Sequence, residues 1–207
     1  MHIQRFEQSG LIITNALGKT LAVDIASYTP LEKLGGVSVD AVIVSHIHGD
    51  HFSIDHIKAL SPQKVYVGSE CKETLGAGTF PFEIVEVKAG ERIDIEGTQV
   101  TPFEVDHGPN ASKKPRENFG FLFENEGDSI YFAGDMFYPS GIDVSGLEVA
   151  TALLPVGGFY TFGPEEALAF ARQFKKAGTA SPMHYENNPD AKEEFIQSAS
   201  IENLPLE

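Results

Sequence analysis

The sequence predicts an α/β protein in which two β-sheets pack face to face and helices cover their outer surfaces. Three observations lead there. Short β-type runs dominate the first two thirds of the chain, helical patterns are interspersed among them, and side chains able to bind metals fall where strands end. A sheet hydrophobic on both faces must be covered on both, which favours stacked sheets with external helices. At 207 residues the chain suits one domain spanning 1–207, long enough for a substantial core.

The β-type runs are Leu11–Thr14, Leu21–Ile25, Ala41–Val44, Lys64–Val67, Phe82–Val87, Arg92–Ile95, Val100–Val105, Phe119–Phe123, Ile130–Ala133 and Val149–Leu154. Glu96-Gly97 and Glu126-Gly127-Asp128 lie between such runs and predict hairpins. A further strand, Thr179–Met183, follows the second helix. Ser53 is placed to cap a first helix carrying Ile54, Ile57 and Leu60 on one face, with Pro62 as its stop. His56 falls on the other face of that helix and is expected at the surface, like His2. Gly163-Pro164-Glu165-Glu166 opens the second helix, with apolar Ala167, Leu168, Ala171 and Phe174 and an end at Gly178. A third helix is expected from about Asp190 to Ser198.

Composition narrows the function. Hydrophobic content of 42% and charged content of 22% are ordinary for a globular protein, but the net charge of −15 is not. It opposes a phosphate-backbone footprint, so no nucleic-acid partner is expected. Bound divalent cations would offset part of it. The single cysteine, Cys71, excludes an intramolecular disulfide and a cysteine-based zinc site. The first residues lack the pattern of a secretory signal, and no apolar run reaches the ~18 residues of a membrane span. A cytoplasmic location without membrane contact is therefore expected.

The most informative segment is His46-Ile47-His48-Gly49-Asp50-His51, directly after the apolar run Asp40–Ser45. Three imidazoles and a carboxylate on a glycine-containing turn are the donors that borderline divalent metals prefer. Three more strand ends carry such residues: His107 after Thr101–Val105, Asp135 after Ser129–Ala133, and His184 after Thr179–Met183. Ligands at strand ends lie on one rim of a sandwich, where they can converge.

With these motifs the sequence resembles the metallo-β-lactamase-fold superfamily, whose αββα four-layer sandwich agrees with the strand inventory. Leu153-Leu154-Pro155-Val156-Gly157-Gly158, the helix opened by Gly163-Pro164-Glu165-Glu166-Ala167, and Pro182-Met183-His184-Tyr185 resemble its short metal-dependent hydrolases related to L-ascorbate-6-phosphate lactonase. The resemblance implies that His46, His48 and His107 hold one metal and Asp50, His51 and His184 a second, with Asp135 bridging. It implies two divalent cations, zinc first, with manganese or iron as alternatives. Two metals ~3.5–4 Å apart can share a hydroxide that attacks a carbonyl or phosphoryl centre. Asp50, Asp135 and Tyr185 are the catalytic candidates. Asp24 resembles the family's acid behind the ligands, which accepts a hydrogen bond from an imidazole; capping a turn is the alternative. Gly158, where relatives often carry an acid, and Met136, where a small hydroxylated residue is common, depart from the pattern.

The substrate is expected to be a small molecule. Lys113, Lys114 and Arg116 crowd into four positions after His107, where they could grip a phosphate or carboxylate. A solvated loop is the alternative. Tyr160, in the glycine loop, is a further substrate candidate. The leading expectation is a dinuclear hydrolase of an ester, lactone or phosphoester. A nuclease of the same fold lacks its inserted domain and basic face here, and a non-catalytic relative would be expected to have lost ligands. The oligomeric state stays open.

Overall fold

Apolar residues on both sides of its four inner strands build the first sheet, because those strands bury both of their faces while the two edge strands stay partly exposed. In the computed structural model, which describes residues 1–76, 78–111, 113–137, 142–201 and 204–206, it contains six strands in sequence order. They are β1 (His2–Arg5), β2 (Leu11–Thr14), β3 (Thr20–Val23), β4 (Ala41–Ile43), β5 (Lys64–Val67) and β6 (Glu83–Glu86). The pairs β1–β2 and β2–β3 are antiparallel, and the rest are parallel. Alternation is visible in β2: Leu11 and Ile13 join the core between the sheets, and Ile12 joins the core outside.

The second sheet holds β7 (Ile93–Ile95), β8 (Thr98–Glu104), β9 (Phe119–Asn125), β10 (Asp128–Phe132), β11 (Glu148–Pro155) and β12 (Lys176–Met183), ordered β12-β11-β10-β9-β8-β7. Strands β7 to β10 form an antiparallel meander, and β11 and β12 join it in parallel. The expected hairpin turns are present. Glu96-Gly97 and Glu126-Gly127 both have positive φ at successive residues, the twist-compatible geometry of two-residue hairpins.

Parallel pairing demands crossovers, and helices supply most of them. α1 (Ile54–Leu60) links β4 to β5, α2 (Ser69–Leu75) links β5 to β6, α3 (Pro164–Ala171) links β11 to β12, and α4 (Pro189–Ile201) follows β12. Ile57, Leu60, Cys71 and Leu75 cover the outer face of the first sheet against Val42, Val44, Val65 and Val67. α3 and α4 pack on β11 and β12. The layers are therefore helix, sheet, sheet, helix. Phe121, Phe123 and Phe132 are fully buried in the core they enclose. Each contributes about 1.5–3 kcal/mol of burial. Among the described residues no helix is long and apolar enough to cross a membrane.

The structure corrects several local expectations. α3 ends at Ala171 rather than Gly178, because Lys176–Met183 is committed to pairing with β11. Phe174 is still buried, but from the connecting turn. His56 is not at the surface: its ring is buried, Nε2–H donates to the Thr29 carbonyl at 2.8 Å, and Nδ1 meets Ser53 Oγ at 2.7 Å. Ser53 occupies the cap position of α1 without capping the backbone, since its hydroxyl serves His56 instead. β1 and α2 had no clear sequence signal.

Candidate metal centre

Strands β3, β4, β8, β10 and β12 each deliver a polar residue to one rim of the sandwich just beyond their last residue. Backbone geometry is specialised there. Of the non-glycine residues with positive φ, Gln8 (59°), Asp24 (49°) and His184 (56°) meet at this rim. Such conformations cost of order 1–3 kcal/mol each and cluster where function constrains the chain. Gly134 precedes Asp135 with φ of 62°, and a Cβ there would sit 2.6 Å from the Phe119 carbonyl. A Cβ on Gly157 would sit 2.3 Å from the His184 carbonyl. Only glycine allows either approach.

Seven side chains converge in two groups, His46, His48, His107 and Asp135, and Asp50, His51, Asp135 and His184, with the candidate ligand atoms of each group within 4.8 Å of one another. Asp135 belongs to both. Its Oδ2 lies 3.9 Å from His46 Nε2 and 3.5 Å from His107 Nε2, and its Oδ1 lies 3.1 Å from His51 Nε2 and 3.2 Å from His184 Nε2. Asp50 Oδ2 completes the second group at 3.5 Å from His184 Nε2 and 3.6 Å from His51 Nε2.

The outward nitrogens explain why the inward ones are free. His51 Nδ1–H donates to Asp24 Oδ2 at 2.7 Å, so Nε2 is the nitrogen turned inward, and its lone pair would be the one offered to a cation. Ser45 donates its hydroxyl to the same Asp24 oxygen, so its Oγ accepts from His46 Nδ1–H at 3.0 Å. His48 is turned the other way: Nε2–H donates to the Lys113 carbonyl at 2.7 Å, and Nδ1 faces inward, 2.9 Å from His46 Nε2. His107 Nδ1–H donates to the Gly108 carbonyl at 3.2 Å. Buried His51 Nε2, His107 Nε2 and Asp135 Oδ1 have no hydrogen-bond partner. Unpartnered buried polar atoms are costly, so three of them gathered around Asp135 in these two groups fit the donor sets of cations.

Charge follows the same geometry. Burial, reinforced by neighbouring His51, pushes His46 well below the usual imidazole range, so its ring is neutral. Burial opposes charge on His51, but Asp135, Asp24 and Asp50 outweigh it and lift its pKa well above normal. His184 is likewise opposed by burial and pushed up to about 9, chiefly by Asp135. Burial would raise Asp135 and Asp50, yet His184 and His51 hold Asp135 well below the carboxylate range, and His51 and His184 do the same for Asp50. In the metal-free protein, protons on His51 and His184 thus balance the carboxylates, and a cation would replace them.

A cavity of about 420 Å³ opens onto these residues, lined by Ser27, Tyr28, His48, Asp50, Tyr160 and Asn187 among others. Tyr160 is therefore at the site. Tyr185 is not: adjacent to His184 but directed elsewhere, it lines a separate cleft with Arg5, Ser181 and Ile196, under Lys192 Nζ at 5.0 Å. A catalytic role for Tyr185 finds no support in that placement. Lys114 and Arg116 line a neighbouring cleft that shares only His107 with the main cavity. Arg116 is paired with Glu73 and lies 3.7 Å from Glu70. Lys113 reaches the site through its carbonyl. Sequence reasoning did not single out Gln8, Ser45, Tyr28 or Asn187. Ser45, directly before His46, was the one with a local signal.

Residues 2–184 match the family described as a β-lactamase superfamily domain. The chain is 29% identical over 197 residues to a UPF0173 metal-dependent hydrolase of Polaromonas, covering 86% of this chain and 71% of the relative. A UPF0173 metal-dependent hydrolase of Methanopyrus kandleri is 30% identical over 183 residues, covering 83% and 77%. The solved structure of a metallo hydrolase from Ignicoccus hospitalis superposes with a TM-score of 0.78 at 22% identity, covering 99% of this chain and 93% of that one. The chain thus belongs to the β-lactamase superfamily and, within it, to the UPF0173 metal-dependent hydrolases.

Proposed function

We propose that this enzyme is a dinuclear hydrolase that cleaves an ester, lactone or phosphoester bond in a small molecule. The observation that carries the reading is Asp135, whose two oxygens face two separate sets of inward-pointing imidazole nitrogens. His46, His48 and His107 would hold one cation, Asp50, His51 and His184 the other, and Asp135 would bridge them. Imidazole and carboxylate donors suit zinc, with manganese and iron as alternatives. Held there, such cations would supply Lewis-acid chemistry: polarisation of a scissile carbonyl or phosphoryl oxygen and a nucleophile from water near neutral pH.

The protein's own groups orient the reaction. Of the two carboxylates lining the cavity, Asp50 has 24% of its side chain exposed and Asp135 only 3%. Asp50 is therefore the acceptor available to a water molecule approaching from the cavity, and its low pKa keeps it ionised in that role. Tyr28, whose hydroxyl donates to Asn187 Oδ1 at 2.9 Å, and Tyr160 wall the cavity and favour an apolar or aromatic non-reacting portion of the substrate. Among the described residues that line it there is no lysine or arginine to hold a remote anion.

Metal-stripped and zinc-reconstituted protein, assayed against lactones, phosphodiesters and thioesters, tests the reading. Turnover should require reconstitution, and Asp50→Ala should lower it at least 100-fold while the circular dichroism spectrum is kept. Equal turnover by folded, metal-free protein would contradict it.

A further inference from the structure

Gln8 lies in the tight connection between β1 and β2, far in sequence from every motif, yet its side chain ends at the metal centre. It is 2% exposed and holds φ at 59°, a conformation a β-carbon disfavours. The backbone is fixed on both sides by the segment around His184: Gln8 N–H donates to Glu186 Oε1 at 2.6 Å, and its carbonyl accepts from His184 N–H at 3.1 Å. The loop is closed further by Phe6 N–H donating to the Gly10 carbonyl at 2.8 Å. From that anchorage the carboxamide Nε2 donates to Asp50 Oδ2 at 3.1 Å; it also lies 2.9 Å from His184 Nε2, to which it can donate only when that nitrogen carries no proton. Oε1 is buried without a partner.

A glutamine that served only to fill space would be poorly chosen. Burying a carboxamide with its oxygen unpaired is costly, and an apolar side chain of equal volume would avoid the cost. What an apolar side chain could not supply is the N–H donor to Asp50. That carboxylate is the most exposed member of its group, joined to its neighbours only through contacts of 3.5 and 3.6 Å to imidazole nitrogens. Nothing else the structure shows donates a hydrogen bond to Oδ2 at a shorter distance among the described residues.

We propose that Gln8 is a positioning residue of the group formed by Asp50, His51, Asp135 and His184, its carboxamide N–H holding the Asp50 carboxylate turned toward His51 and His184. This rests on the dinuclear reading above. Gln8 acts on metal binding through Asp50 rather than by touching the reacting atoms. A hydrogen bond behind a ligand is commonly worth 10–100-fold in metal affinity.

The test is zinc binding by chelator competition, measured for wild type, Gln8→Met, Asp50→Asn and the double variant, with the melting temperature of each metal-free protein as the fold control. Wild type binding fewer than two zinc ions would overturn the dinuclear reading itself. With two bound, Gln8→Met is expected to loosen one zinc about 10–100-fold and leave the other in place. In the Asp50→Asn background the same substitution should add less than about a threefold change, because the partner it acts through is already altered. Gln8→Asn, which tolerates positive φ but falls one methylene short of Asp50, should reproduce the loss if Gln8→Met fails to fold. Unchanged affinity for both ions in a folded variant would overturn the proposal. So would an equal loss with and without the Asp50 carboxylate.

Discussion

On the proposed dinuclear reading, replacing Asp24 by asparagine should loosen both metals while leaving the fold in place. Asp24 has φ of 49°, and asparagine tolerates that region as well as aspartate, so the backbone is not the target. The carboxylate accepts from Ser45 N–H at 2.8 Å through Oδ1, and from His51 Nδ1–H at 2.7 Å and the Ser45 hydroxyl through Oδ2. An amide can keep only one of those oxygens as an acceptor. With its oxygen toward Ser45 N–H, its NH₂ faces His51 Nδ1 and Ser45 Oγ. His51 then accepts at Nδ1 and carries its proton on Nε2, the atom 3.1 Å from Asp135 Oδ1. Ser45, no longer donating to Asp24, turns its hydroxyl to His46 Nδ1 and moves that ring's proton inward as well. Reversing either tautomer to bind a cation forfeits a hydrogen bond in a buried site, about 1.5–3 kcal/mol, or about 10–100-fold in affinity. Zinc content after dialysis against buffered free zinc reads the effect, with metal-free melting as the control. Wild-type affinity at both positions would refute the tautomer argument, and loss at only one would refute the relay through Ser45.

Zinc loading should strengthen with pH by about tenfold per unit for each proton displaced, from pH 6 toward 9, and then level off. The sign follows from His184, which in the metal-free protein keeps its proton below about 9 and must lose it to donate Nε2. Competition titrations at pH 6, 7 and 8 check it. Away from the site, Asp40 accepts from Thr20 N–H at 2.8 Å, Thr20 Oγ at 2.9 Å and Lys19 Nζ at 2.7 Å. Burial would raise its pKa, but Lys19 and Thr20 hold it below normal. Its contribution is therefore present above the unfolded value near 3.8 and lost as pH falls through the folded one. Asp40→Ala should cost about 2 kcal/mol at pH 7, a drop of about 4–8 °C in melting temperature. That difference should shrink in acid.

The sandwich and the seven candidate ligands were legible because they depend on local signals: period-two strands, glycine turns, and His or Asp at strand ends. What the sequence did not show depends on distant partners. Gln8 becomes part of the centre only because β1 and β2 set its loop against His184, 176 residues away. Lys113 mattered as a carbonyl acceptor for His48, which no side-chain pattern reveals. α3 is shorter than its apolar periodicity predicts because sheet pairing of Lys176–Met183 overrides helical propensity. His56 was expected outside because the Thr29 carbonyl that accepts its N–H lies in a separate loop.

The most direct measurement is anomalous diffraction from crystals of zinc-loaded protein. Two peaks per chain are expected about 3.5–4 Å apart, one among His46, His48 and His107 and the other among Asp50, His51 and His184, with Asp135 between them. A single peak, or zinc bound away from Asp135, would contradict the dinuclear centre.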